Sequence, residues 1–244
     1  MQFANVVAHR GYSARYPENT RLSLQQAIIA GARYIELDVQ LSGDGVPLII
    51  HDDNLNRTAG VDLSVLHSSW ADLQRVCVGE VERLGDRYAH EPLSPLSVLV
   101  ELLQAHPDVQ AFVELKEESL NHFGRAEMLA KVMPVIAPVY SQCRIISFDA
   151  GVLPLVRRGY GGEIGWVISR WTEQQRAIAE EINPDILICN YRKIDTPLWS
   201  GNWQWFLYEI IDAELALQWL DRGVDYIEGM ELQNLLTNPR LRGG

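Results

Sequence analysis

Ionisable residues stand at the ends of apolar runs throughout the first half of this 244-residue chain. His9 and Arg10 follow Val6-Val7-Ala8, and His51 follows Leu48-Ile49-Ile50. Glu36 and Asp38 alternate with Ile35, Leu37 and Val39, while Glu114 and Lys116 close the run that begins at Ala111. A strand buried on both faces is uniformly apolar, so such groups are costly there unless they are paired, hydrogen-bonded or bound to a metal. Glu36, Asp38 and Glu114 offer oxygen-only ligation, which suits a hard divalent cation such as Mg²⁺ or Ca²⁺ and disfavours zinc. His9 and His51 are of the type that exchanges protons near neutral pH. Arg10 and Lys116 supply positive charge for an anionic group, and a guanidinium fork fits phosphate bidentately.

Each residue also has a plainer reading. A single histidine at a strand end is usually a hydrogen-bonded structural one, Glu114 and Lys116 could be an ion pair, and Glu36 and Asp38 could be solvated on an edge strand. All of these coincidences would have to fall together at the same end of successive strands, which favours a site. A cation site, an acid–base pair and local positive charge together suit phosphodiester cleavage. By contrast His67, His90, His106 and His122 lie in polar stretches without evident partners, and no role is expected for them.

The elements that must position these residues alternate along the chain. Apolar runs at 4–8, 33–40, 47–51, 110–116, 144–148, 163–168, 185–189, 205–211 and 225–228 are separated by amphipathic stretches, the pattern of parallel strands joined by helices. Helices are expected at about 21–30, capped by Asn19 or Thr20 and ended at Gly31, and at 70–73, 97–105, 124–133, 173–182 and 212–222. An α/β barrel of eight strands absorbs eight of the runs, and the ninth falls in the 33–51 region, where Ser42-Gly43-Asp44-Gly45 reads as a tight turn. With Gly43-Asp44 as a two-residue loop, His51 would lie directly opposite Glu36, about 5 Å away between Cα atoms. Residues 1–244 then form a single domain, with a small insertion at about 53–92 that could serve as a lid.

The net charge of −11, from 32 acidic and 21 basic residues with no basic tract, argues against nucleic-acid binding. Cys77, Cys143 and Cys189 lack metal-ligand spacing and read as reduced, buried thiols. No apolar run approaches 18 residues, and too few residues precede Val6 for a leader, so no stable membrane insertion and a cytoplasmic location are expected.

His9-Arg10-Gly11, Pro17-Glu18-Asn19-Thr20, Glu36-Leu37-Asp38, Asp44-Gly45 and His51-Asp52 resemble, in order, the motifs of the glycerophosphodiester phosphodiesterase family of bacterial cytoplasmic type. Glu114-Leu115-Lys116, Ser147-Phe148 and Gly223-Val224-Asp225 extend the likeness. The resemblance implies a (β/α)₈ TIM barrel with a small insertion after the third strand. It also implies metal-dependent hydrolysis of glycerophosphodiesters, small molecules of lipid and glycerol metabolism, to glycerol 3-phosphate and an alcohol. Glu36, Asp38 and Glu114 would hold Mg²⁺ or Ca²⁺, and His9 and His51 would be the general acid–base pair. Arg10 and Lys116 would bind the phosphate, with Glu18 and Asn19 in support. The last third departs from the family pattern at 207–212 and 226–230, which leaves the alcohol open. Two alternatives follow: lysophospholipase-D-like action, with Trp199, Trp203 and Trp205 supplying an apolar groove, or a catalytically silent barrel that binds a phosphorylated ligand. The sequence specifies no oligomeric state.

Overall fold

Strand runs that are apolar on both faces need cover on both, and closure into a barrel provides it: one face packs on helices, the other fills the lumen. The computed structural model describes residues 5–241. Its strands are β1 (Asn5–Ala8), β2 (Tyr34–Leu41), β3 (Pro47–Ile49), β4 (Ser94–Pro95), β5 (Gln110–Leu115), β6 (Cys143–Ser147), β7 (Ile164–Ile168), β8 (Ile186–Asn190), β9 (Gln204–Tyr208) and β10 (Tyr226–Gly229). Parallel pairing runs β1, β2, β5, β6, β7, β8, β9, β10 and back to β1, which closes an eight-stranded (β/α)₈ barrel as expected. β3 and β4 add antiparallel beside β2. All nine anticipated runs form strands, although Ala4, the expected first residue of β1, lies outside the described residues.

Alternation along each strand divides the core in two. Ile35, Leu37 and Val39 of β2 face outward onto helices such as Arg21–Ile29 and Ser97–Ala105, where they meet Leu24, Ala27, Leu99 and Leu103. Thr20 caps the first of these helices in a reciprocal box with Ser23. The lumen is filled by Val7, Phe112, Ile146, Val167, Ile188, Phe206 and Tyr226. The Phe112 ring stands edge-on to Phe206 at 5.0 Å and to Tyr226 at 5.3 Å, and Tyr34 meets Tyr226 at 5.4 Å, so aromatic rings seal the lumen.

The β2–β3 hairpin differs from the expected register. Val39 pairs with Ile49 and Gln40 with Leu48, one residue out from the pairing that would set His51 opposite Glu36. The cause is a longer turn: the Ser42 N–H donates to the Val46 carbonyl at 3.0 Å, the Gly45 N–H to the Ser42 carbonyl at 2.8 Å, and Gly45 adopts φ +81°. An added residue in a hairpin loop shifts every pair that follows.

The insertion, between β3 and β4, has a small core of its own: Leu48, Ile50, Leu55, Val65, Leu73, Val78 and Leu93. Its short helices are Asn56–Ala59, Trp70–Leu73 and Val81–Leu84. It is pinned to the barrel, with the Gly43 N–H on the Ser68 carbonyl at 2.8 Å and the Trp70 N–H on Asp44 Oδ1 at 2.9 Å.

Candidate active site

The turn after β1 makes the first part of the site. Arg10 and Gly11 both adopt left-handed backbone, φ 53° and 76°, which swings the Arg10 N–H onto Glu36 Oε2 at 2.9 Å. Position 11 admits only glycine, because a Cβ there would lie 2.5 Å from the Ser23 carbonyl carbon. Arg10 Nη1 donates to Glu18 Oε1 at 2.8 Å, and its Nε lies 3.1 Å from Asp38 Oδ2. Asn19, also left-handed at φ 55°, gives its side-chain amide to Asp38 Oδ2 at 2.8 Å and accepts the Asp38 N–H at 3.1 Å. The Pro17-Glu18-Asn19-Thr20 segment thus orients both a cation and a carboxylate before Thr20 starts the helix.

Glu36, Asp38 and Glu114 project into the lumen from β2 and β5, where Asp38 pairs directly with Glu114. One oxygen from each lies within 4.8 Å of the others, and all three residues are buried. Burial, and then the Asp38 and Glu228 charges, push Glu36 well above the usual carboxylate range. Glu114 is raised by burial and by Asp38, against the pull of Lys116. Burial also opposes ionisation of Asp38, but Arg10 and Lys116 outweigh it and hold that carboxyl low. Lys116 donates to Glu114 Oε1 at 3.0 Å and lies 3.6 Å from Asp38 Oδ1. Buried, mutually repelling, all-oxygen donors fit a hard divalent cation, which would relieve the repulsion that raises two of them.

His9 is pushed down to about 3, chiefly by burial and then by Arg10, so its imidazole is neutral at physiological pH. His51 Nδ1 lies 2.6 Å from Asp52 Oδ1. Asp52 is held low by that hydrogen bond and by Arg57, so the carboxylate is ionised and Nδ1 carries the proton it accepts. Nε2 of His51 is left for chemistry.

His9, Arg10, Glu36, Asp38, His51, Glu114 and Lys116 line one cavity of about 230 Å³ at the carboxyl ends of the strands. Glu18 and Asn19 stand just behind Arg10 and Asp38. Phe148, Phe206, Tyr208, Glu209 and Glu228 also line the cavity; in the ring of eight strands β9, which carries Phe206 and Tyr208, faces β5. None of residues 53–92 is among the lining. Trp199 and Trp205 are buried in the outer core, with Trp199 stacked on Trp171 at 4.0 Å, and neither they nor Trp203 line the cavity, so these tryptophans build no lipid groove there. His67 and His122 do have partners, contrary to expectation: their rings meet edge-on at 4.9 Å, and His67 Nδ1 lies 2.9 Å from Ser64 Oγ, away from the cavity. Cys143 and Cys189 are buried and pushed up to about 12 by that burial, while Cys77 is half-buried.

Three residues escaped the sequence reading. Glu228 is buried in the lumen and raised well above its usual range by burial and by Glu114. The signal that could have found it is a carboxylate that follows Ile227 at the end of an apolar strand, two residues after Tyr226. Arg57 and Glu80 belong to the insertion and reach the site only through Glu18 and Asp52.

Residues 9–188 match the model of the glycerophosphoryl diester phosphodiesterase family. A Bacillus altitudinis protein named glycerophosphodiester phosphodiesterase is 44% identical over 158 residues, 63% of this chain and 61% of that protein. The uncharacterized protein YqiK of Bacillus subtilis is 54% identical over 156 residues, again 63% of this chain and 61% of the relative. The chain therefore spans about three-fifths of the length of these curated relatives. Among solved structures, an Oleispira antarctica phosphodiesterase in complex with the product sn-glycerol-3-phosphate superposes with a TM-score of 0.86 at 26% identity, covering 96% of each chain. A Silicibacter pomeroyi protein at 21% identity and TM-score 0.84, covering 98% of this chain and 95% of that one, shares the fold.

Proposed function

Since the chain belongs to the glycerophosphoryl diester phosphodiesterase family, we propose that it hydrolyses glycerophosphodiesters to glycerol 3-phosphate and an alcohol. The observation that carries this reading is the cavity in which His9 and His51 share one mouth with the Glu36, Asp38 and Glu114 cluster and the cations Arg10 and Lys116. Mg²⁺ or Ca²⁺, when bound by Glu36, Asp38 and Glu114, would supply charge neutralisation for the phosphodiester.

The chain's own residues account for the proton movements. Arg10 and Lys116 draw the anionic diester to the carboxylate wall, and Asn19 and Glu18 keep Asp38 and Arg10 in place. His9, neutral through burial, takes the proton of the glycerol 2-hydroxyl as that oxygen bonds to phosphorus. The bond from phosphorus to the leaving alcohol breaks, and His51, its Nδ1–H held by Asp52, gives a proton from Nε2 to the departing oxygen. His51, now neutral, then takes a proton from water as the water oxygen bonds to phosphorus. The 2-oxygen leaves the cyclic phosphate and recovers its proton from His9. The free thiols of the described residues support a reducing, intracellular setting.

The test is glycerol 3-phosphate release from glycerophosphocholine and glycerophosphoethanolamine by the purified chain, in EDTA and then with Mg²⁺ or Ca²⁺ restored. Release that stops with chelator and returns with metal is expected. Folded, metal-loaded protein that releases none overturns the reading.

A further inference from the structure

The insertion contributes no wall to the cavity, yet one of its side chains touches both halves of the site. Arg57, on the short helix Asn56–Ala59, donates from Nε to Asp52 Oδ2 at 2.7 Å and from Nη2 to Glu18 Oε1 at 2.7 Å. The other oxygen of Asp52 holds the His51 ring, and the same Glu18 oxygen accepts from Arg10. An unbroken chain of charge-assisted bonds therefore runs His51, Asp52, Arg57, Glu18, Arg10. We propose that Arg57 is a positioning residue for the hydrolysis proposed above, on which the inference rests: it fixes the His51 imidazole through Asp52 and the Arg10 guanidinium through Glu18.

The geometry suits arginine specifically. A planar fork reaches two carboxylates on different segments at fixed angles, and a lysine ammonium, one point charge on a flexible stem, cannot reproduce both bonds. The helix that carries Arg57 is itself anchored where it must be. The Thr58 carbonyl accepts the Glu80 N–H at 2.9 Å, and buried Glu80 accepts the Glu18 N–H at 2.7 Å and two donors of Arg83. Glu18 is thus gripped by the insertion at both backbone and side chain. Asp52 is less constrained: beyond His51, its carboxylate has Arg57 as its charged partner. Loss of Arg57 would leave Asp52 free to rotate and the His51 ring free to change its tautomer. Arg57 is 45% exposed, and without it Glu18 keeps Arg10 and Asp52 keeps His51 as partners, so its loss strands neither carboxylate. A large effect on turnover with a small effect on melting is therefore the signature of positioning.

The experiment compares Arg57→Ala, Arg57→Lys, Asp52→Asn, the Asp52→Asn/Arg57→Ala double variant and Arg75→Ala, an exposed residue of the same insertion, with glycerophosphoethanolamine as substrate. Arg57→Ala and Arg57→Lys should each lower kcat roughly 10- to 100-fold, as loss of an orienting partner commonly does, with a Tm within a few degrees of wild type. The double variant should fall short of the product of the two single effects, slower than Asp52→Asn alone only by what the Glu18–Arg10 arm contributes, and Arg75→Ala should match wild type. A second readout is independent of turnover: long-range ¹H–¹⁵N correlation of the neutral His51 ring should show a single tautomer protonated at Nδ1 in the wild type and a mixture in Arg57→Ala. Wild-type kcat in Arg57→Ala, full additivity with Asp52→Asn, or an unchanged His51 tautomer would each overturn the inference. Absence of turnover in the wild type would instead overturn the functional reading, and the tautomer comparison would still decide the role of Arg57.

Discussion

Replacement of Glu36 by glutamine should make the metal-free protein more stable and leave it unable to gain stability from metal. Glu36 shares the lumen with Asp38, Glu114 and Glu228 and is raised by burial and by those charges, while Arg10 pulls the other way. Two unit charges at the 4.8 Å limit of the cluster repel by about 3.5 kcal/mol at an effective dielectric constant of roughly 20. With two such neighbours opposed by one cation, removal of the charge should relieve on the order of 3.5 kcal/mol once the carboxylate is ionised. The sign follows from linkage. A carboxyl whose folded value is raised binds more protons folded than unfolded, so its contribution to stability falls as pH rises from the ordinary carboxylate value through the raised one. The wild type in EDTA should therefore lose stability from about pH 4.5 upward, and Glu36→Gln should lose less. For a chain of this size, 1 kcal/mol corresponds to roughly 2–4 °C in Tm. Metal at 100 times its Kd stabilises the wild type by about 2.7 kcal/mol, or roughly 5–10 °C. Thermal unfolding at pH 8, in EDTA and in excess Mg²⁺ or Ca²⁺, reads both quantities. A variant that melts lower than wild type in EDTA, or that keeps the full metal-dependent rise, would refute the electrostatic account of the cluster.

Other outcomes follow from the same geometry. His9→Ala should fold normally and lose about 10²- to 10⁴-fold in kcat, checked by circular dichroism beside the turnover assay. Because His9 is neutral above pH about 3, kcat/KM at saturating metal should show no acid limb near 6.5; such a limb would contradict His9 as the base. Gly11→Ala, which must both hold φ 76° and clear the Ser23 backbone at 2.5 Å, should cost more than about 2 kcal/mol by denaturant unfolding. Glu228→Gln should raise metal-free stability at pH 8 and weaken metal binding less than any change to the three clustered carboxylates, as titration calorimetry would show.

The amino-terminal half was legible because its signals are local. A carboxylate every second residue in an apolar run shows which face looks inward, and a histidine after such a run marks the strand's end. The helices Ser97–Ala105 and Glu173–Ile182 were equally plain from apolar spacing and flanking residues. The β2–β3 register was not, because it depends on whether Gly45 or Gly43 takes the left-handed turn position, and both are glycine. Arg57 was hidden for another reason: it sits on one turn of helix in an aperiodic stretch, and one partner, Glu18, lies 39 residues away. Contacts that exist only once the insertion docks leave no periodicity to read. Glu228 was visible as a departure from the family pattern, but its inward direction became clear only with Tyr226 placed in the lumen.

The ring of Tyr34, Phe112, Phe206 and Tyr226 makes the barrel a blind well. Whatever enters by the mouth must leave by it, so traffic is last in, first out. On the proposed reaction, with the glycerol phosphate against the carboxylates, the alcohol would have to depart before water could take its place, and architecture alone would sequence the two half-reactions. On that reading glycerol 3-phosphate would be the last to go and should compete directly with incoming diester, whereas the freed alcohol should not.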